Sequence, residues 1–189
     1  MTQPAFGSRL SVSGLSGKRS AIAGVVGFAI ATSIAAQVAL PIPVTPVPMT
    51  LTPMVVVLAG LMLGPALGTA SMLLYLLVGA VGVPVFAPMG APGILRFLGP
   101  TGGYLIAYPA AAAVAGMVAR RYPALPGRWA AAVAGIAVIF AGGLTQLAVL
   151  NGSLSTALAL GISPFAALDI VKAFLAAAIA RPLVKRPAE

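Results

Sequence analysis

The chain is expected to be an all-α membrane protein: a bundle of six transmembrane helices with both termini in the cytoplasm. Three observations lead there. Of its 189 residues, 60% are hydrophobic, and the mean hydropathy is +1.09. Only 7% are charged, against ~25% in an ordinary soluble domain. The apolar residues also gather in runs that approach the ~20 residues a bilayer-crossing helix needs.

The runs are 20–40, 49–63, 66–83, 102–119, 129–150 and 165–184, each bounded by Pro, Gly or charge. Before them stands a polar, Ser- and Gly-containing stretch over residues 1–19, with no small-residue cleavage pattern after a short apolar core, so it is expected to remain as a cytoplasmic tail. Residues 20–184 form one membrane domain, and 185–189 a second cytoplasmic tail. The segment 49–63 is short and carries Pro53 near its start, which leaves a re-entrant path open. Charge decides for a crossing. With six crossings, Arg9, Lys18, Arg19, Arg120, Arg121, Arg128, Arg181, Lys185 and Arg186 all face the cytoplasm and only Arg96 lies outside. Without that crossing, every cation from Arg120 onward except Lys172 would be stranded outside. The outer loops are then 41–48, 84–101 and 151–163.

The first loop holds Pro41, Pro43, Pro46 and Pro48, a stiff segment with few backbone donors that suits a lid or a spacer. In the first helix Ala31, Ala35 and Ala39 recur at four-residue spacing and make a smooth stripe for close helix packing, either inside the bundle or against a partner subunit.

The residue inventory excludes much chemistry. There is no cysteine and no histidine, so disulfides, thiolate nucleophiles, imidazole catalysis and Cys/His zinc sites are ruled out. Asp169 and Glu189 are the only acids, and no metal site is expected. Gly17-Lys18 resembles part of a phosphate-binding loop, but Val12 stands where the first glycine should be and Arg19 where Ser or Thr should be. The chain therefore has no ATP motor of its own. A Ser163/Lys172 hydrolase is disfavoured by the distance along the helix, and no enzyme activity is expected. The net charge of +9 follows membrane topology, so no nucleic-acid partner is expected.

Lys172 alone among the cations falls inside an apolar run, three residues after Asp169. That spacing lets the two side chains meet each other or one small molecule. Charges inside a membrane span face a cavity or the bundle interior. At 1.5 Å rise per residue they lie roughly 7–8 and 12 Å below Pro164. Carboxylate and ammonium together can receive the N–H and C=O groups of a polar ligand. Arg96 is either a solvated loop residue or the receiver of a ligand carboxylate, which its fork fits in bidentate geometry. Gly99-Pro100-Thr101-Gly102-Gly103-Tyr104 opens the fourth helix with a bend that can line a cavity, with Tyr104 as an amphipathic wall.

Four motifs occur in order along residues 20–184: Pro41-x-Pro43-Val44-Thr45-Pro46-Val47-Pro48-Met49-Thr50-Leu51, Leu63-Gly64-Pro65-x-x-Gly68, Gly99-Pro100-Thr101-Gly102-Gly103-Tyr104-Leu105 and Pro164-Phe165-x-x-x-Asp169-x-x-Lys172. Together they resemble the BioY family, the biotin-binding S components of energy-coupling-factor (ECF) transporters. The resemblance implies a six-helix bundle of S-component type in the bacterial cytoplasmic (inner) membrane. It implies high-affinity capture of biotin at the outer face and delivery inward with an ECF transmembrane coupling protein and ABC-type ATPases. Homo-oligomers are compatible with it, and no cofactor is implied, biotin being the transported substrate. Asp169 and Lys172 would hold the ureido ring and Arg96 the carboxylate, or the ligand would lie the other way round, with Lys172 on the carboxylate. Tyr104 would line the site, and Ala31 and Ala35 would form the docking face. The chain departs from the family pattern at Thr52, where Gln is common, at Ala66, where Arg is common, and near Gln146, where an aromatic residue is common. Two other readings stay open: an S component for another small vitamin, and a structural or assembly protein whose Asp169–Lys172 pair is only a packing lock.

Overall fold

The computed structural model describes residues 12–180. The stretches 1–11 and 181–189 lie outside the described residues, and with them Arg9, Arg181, Lys185, Arg186, Glu189 and the expected C-terminal tail. The described chain is mostly helical: α1 (Val12–Gln37), α2 (Thr52–Leu63), α3 (Pro65–Ala80), α4 (Gly102–Arg121), α5 (Leu125–Asn151), α6 (Leu154–Gly161) and α7 (Ala166–Ile179). A 3₁₀ helix spans Gly93–Leu98, and two short strands, β1 (Ala39–Leu40) and β2 (Met49–Thr50), pair antiparallel with Ala39 opposite Thr50 and Leu40 opposite Met49.

Punctuation in the sequence sets these boundaries. α2 and α3 are separated by Gly64 alone, whose φ of 81° lies in the left-handed region that favours glycine. Pro65 then begins α3, where a missing N–H costs nothing. The proline-rich segment 41–48 cannot pair along its length, so only the residues that flank it form strands, and the segment between them makes a strap.

Long polar contacts show which ends meet. Arg120 lies over Gly64 and Arg128 donates to the Ala180 carbonyl, so the α2–α3 turn, the α4–α5 linker and the end of α7 share one end of the bundle. At the other end Thr45 Oγ1 donates to the Leu160 carbonyl at 2.7 Å, tying the strap to α6, and Tyr104 Oη donates to the Gly161 carbonyl at 2.9 Å.

Three features differ from the expected pattern. The first helix begins at Val12, so Lys18 and Arg19 are helical, and the outer loop 151–163 contains α6, whose first turn is capped by Ser153 accepting from the Thr156 N–H. The helices are also unequal. Gly17–Gln37 within α1, together with α4 and α5, is long and apolar enough to cross a membrane, and α6 with α7 makes a fourth span if their 53° bend is counted within it. α2 and α3, at 12 and 16 residues, are shorter because Pro53 and the Gly64-Pro65 turn fix their ends.

Close packing rests on small side chains. A Cβ on Gly60 would sit 2.2 Å from the Ala112 carbonyl oxygen, and one on Gly103 would sit 2.1 Å from that of Gly142, so α2 and α5 meet α4 backbone to backbone. Toward the basic end the interior is largely alanine, with Ala115, Ala131, Ala132, Ala173 and Ala176 fully buried. The outer surface carries large apolar residues such as Ile34, Leu77, Ile106, Val149 and Ile170. Such an apolar surface fits lipid surroundings.

Gly103→Ala is expected to lower unfolding stability in detergent by roughly 1–3 kcal/mol, the usual cost of overpacking. Gly27→Ala in α1, where a Cβ meets nothing within 4 Å, is expected to leave it unchanged. Denaturant midpoints of the two variants check this, and equal midpoints would refute the close α4–α5 approach.

Candidate functional site

Asp169 lies in the first turn of α7, where the helix dipole favours a negative charge. One turn on, Lys172 Nζ reaches back to its Oδ1 at 2.8 Å and also donates to the Thr50 carbonyl of β2 at 2.8 Å. Asp169 is only 4% exposed. Removing one partner from a buried ion pair strands the other charge, at a cost of about 3–5 kcal/mol, so the pair is held in place by what losing either half would cost.

A cavity opens beside this pair at the strap end of the bundle. It brings together all four side chains expected there, Asp169, Lys172, Arg96 and Tyr104. The strap from Val47 to Thr50 forms one wall, the start of α2 at Thr52 and Pro53 another, and Tyr75, Phe86, Tyr108 and Phe165 add aromatic surface. Tyr75 packs edge-on to Phe86 with ring centres 5.4 Å apart and lies near-parallel to Tyr108 at 6.3 Å.

Tyr104 is seated by glycines. A Cβ on Gly102 would strike the Phe97 carbonyl oxygen at 2.0 Å, so the Gly102-Gly103 pair lets α4 start hard against both the 3₁₀ helix and α5. The ring then slots over Gly143, where any Cβ would fall 2.1 Å from it, and the hydroxyl anchors α6 through Gly161.

Arg96 needs a correction. The alternative of a solvated loop arginine fails, because the side chain is 6% exposed. Its guanidinium donates to the carbonyls of Ala87 and Met89 within its own loop. The reason is local: a Gly- and Pro-rich loop forms few internal backbone bonds, and its carbonyls must find donors elsewhere. Burial pushes the Arg96 pKa below its ordinary value, against the opposing influence of Tyr75. A guanidinium nevertheless stays charged in proteins. Its Nε is buried with no hydrogen-bond partner.

The small-residue stripe divides. Ala35 is 6% exposed and packs inside the bundle, Ala31 is half-buried, and Ala39 belongs to β1. The outward face of α1 is instead Ile22, Val26, Ile30 and Ile34. Burial of Ala35 favours internal packing for that residue.

Sequence reasoning missed Tyr75, Tyr108, Phe86 and the Thr50 carbonyl. Tyr108 carried a usable signal, since it follows Tyr104 by four residues on one helical face. Tyr75 and Phe86 did not, because a lone aromatic residue in or beside an apolar run reads as core. Chemically, the cavity presents one carboxylate acceptor, an ammonium, a guanidinium and aromatic walls. It suits a small molecule that combines N–H donors, a carbonyl and an anion with an apolar body. Among the described residues no group of three or more His, Cys, Asp or Glu could hold a metal.

The BioY family model matches residues 9–189. A probable biotin transporter BioY of Pyrococcus horikoshii is 42% identical over 156 residues, covering 82% of this chain and 91% of the relative. The biotin transporter BioY of Thermotoga maritima is 37% identical over 148 residues, covering 78% and 87%. Among solved structures, the crystal structure of the S-component for biotin from an ECF-type ABC transporter superposes with a TM-score of 0.81 at 27% identity, covering 87% of this chain and 90% of that one. These relatives are named as transporters or a transporter component. The chain belongs to the BioY family.

Proposed function

We propose that the chain is the membrane-embedded substrate-binding component of a biotin uptake system. The observation that carries this reading is the convergence of Asp169, Lys172, Arg96 and Tyr104 on one cavity in a fold like that of a biotin S-component. Biotin offers two ureido N–H donors, a ureido oxygen, an apolar thioether ring and a carboxylate tail. The Asp169 carboxylate accepts from a ureido N–H, the Lys172 ammonium donates to the ureido oxygen, the aromatic walls take the bicycle, and the Arg96 guanidinium meets the carboxylate.

In this reading residues 20–184 form the membrane domain, between cytoplasmic tails at 1–19 and 185–189, with six crossings in the cytoplasmic (inner) membrane. The shared end of Arg120, Arg121 and Arg128 supports a cytoplasmic placement of that end, and the strap, the 84–101 loop and α6 then lie outside. α2 and α3 cross as short helices, tilted partners of the longer ones or matched to a locally thinned bilayer. Without a nucleotide site of its own, the chain takes its energy from an ECF coupling protein and ABC-type ATPases, which meet it on the exposed face of α1 and on Ala31.

A packing-lock reading draws on the fact that Lys172 is already satisfied by two internal acceptors. Binding measurements separate the two. Asp169→Asn and Lys172→Ala are each expected to weaken biotin binding by roughly 2–4 kcal/mol, since each breaks a buried charged network. Titration calorimetry on purified protein in detergent reads the loss. Variants that melt earlier yet bind biotin as the native chain does would leave the pair a packing lock.

Topology has its own test. Single cysteines introduced into this cysteine-free chain at Ala91 and Ser155 are expected to react with an impermeant reagent added outside intact cells. One at Ala124 should react only after the membrane is opened, and external labelling at Ala124 would remove the six-span arrangement.

A further inference from the structure

The segment from Pro84 to Gly99 lines the site through Phe86, Ala87 and Arg96, yet it has little regular structure to hold it in place. Pro84, Pro88 and Pro92 have no backbone N–H, and the glycines at 90 and 93 adopt left-handed φ values of 110° and 59°. Many of its carbonyls therefore depend on donors outside its own backbone. Two neutral side chains from different helices supply donors. Gln37, the last residue of α1, donates through Nε2 to the Pro84 and Phe86 carbonyls at 3.2 and 3.1 Å. Gln146 of α5 lies 3.4 Å from each of the Phe97, Leu98 and Gly99 carbonyls, the end of the 3₁₀ helix that carries Arg96.

We infer that Gln37 and Gln146 are positioning residues of the binding site, two side-chain amides that pin opposite ends of the 84–99 segment and so hold Phe86 and Arg96 against the cavity. The geometry between the pins supports this. Arg96 bonds to Ala87 and Met89 inside the segment, so fixing its helix also fixes the inner turn. Phe86 is wedged into the space left by Gly79, where a Cβ would lie 2.1 Å from its ring, and meets Phe97 edge-on at 5.7 Å. The stem of Gln146 is itself fixed against Gly103, whose Cβ would lie 2.6 Å from it. Neither amide carries charge, so each acts on a ligand through placement of other groups. The pin at Gln146 governs Arg96 and hence an anionic end, whereas the pin at Gln37 governs Phe86 and hence the apolar body.

The assignment of ligand ends rests on the biotin-binding reading above, while the pinning of the segment does not need a ligand. The test therefore has two arms, using the full chain in detergent with Gln37→Met and Gln146→Met, which keep side-chain length and remove the donors. In the first arm, amide hydrogen exchange is followed without ligand. Exchange is expected to rise at 85–91 in the Gln37 variant and at 94–101 in the Gln146 variant, with α7 unchanged. Unchanged exchange in both segments, or an equal rise along the whole chain, overturns the inference. In the second arm, Gln146→Met is expected to weaken biotin roughly tenfold, about the worth of one lost hydrogen bond, and biotin amide, whose carboxylate is blocked, less than twofold. Gln37→Met should weaken both equally. Equal losses for the two ligands at Gln146 would reduce it to general packing. If the native chain does not bind biotin, the functional reading falls and the exchange arm alone decides the pins. Should a Met variant fail to fold, Gln37→Leu or Gln146→Leu removes the donors without adding a charge, with the same expectations.

Discussion

The Lys172 ammonium is the point on which the rest of the structure turns. It bonds the Asp169 carboxylate one turn back on its own helix and the Thr50 carbonyl across from it, so a single part-buried cation joins α7 to the strap. Thr50 pairs with Ala39 of β1, just beyond α1, and leads directly into α2. Three stretches of chain far apart in sequence thus meet at one charge. The buried pair contributes little net stability by itself. Its value is specificity, because any arrangement that leaves either charge unpaired inside an apolar bundle is far higher in energy. The same polar atoms, clustered where the helices open, line the cavity.

The two halves of the bundle solve different problems. Toward the basic end, alanines and glycines bring α2, α4, α5 and α7 together with almost no side-chain volume between them. In lipid, where helices gain nothing by hiding apolar surface from water, such close approach supplies the cohesion. Toward the strap end the core turns aromatic, with Tyr75, Phe86, Tyr104 and Tyr108 holding helices and loops apart enough to leave a cavity. Tight packing below makes a rigid base for the site above, and the glycines around Tyr104 show how closely the boundary between the two is drawn.

Much of this was legible in the chain because charge in an apolar sequence is rare enough to be read singly. Asp169 and Lys172 stood out by spacing alone, and Tyr104 by the Gly-Pro bend before it. Arg96 was legible in identity and not in environment, since nothing local says that a loop will turn its only cation inward to satisfy its own carbonyls. The α6 helix hid behind its polar start, although Ser153 followed by Leu154 and Ala157 is a capping signal. The runs 49–63 and 66–83 became the shorter helices α2 (Thr52–Leu63) and α3 (Pro65–Ala80), because prolines and one glycine fixed ends that the apolar run alone does not mark. The roles of Gln37 and Gln146 had no signature, because a neutral amide at the end of a helix is defined only by the backbone it happens to face.

If the cavity captures biotin, the protein purified in mild detergent from cells supplied with biotin should carry it. Native mass spectrometry, followed by release and identification of the retained small molecule, is the direct measurement. The expected result is one biotin per chain, lost in Lys172→Ala. A chain that retains nothing, or that retains a different vitamin in the presence of biotin, would contradict the assignment.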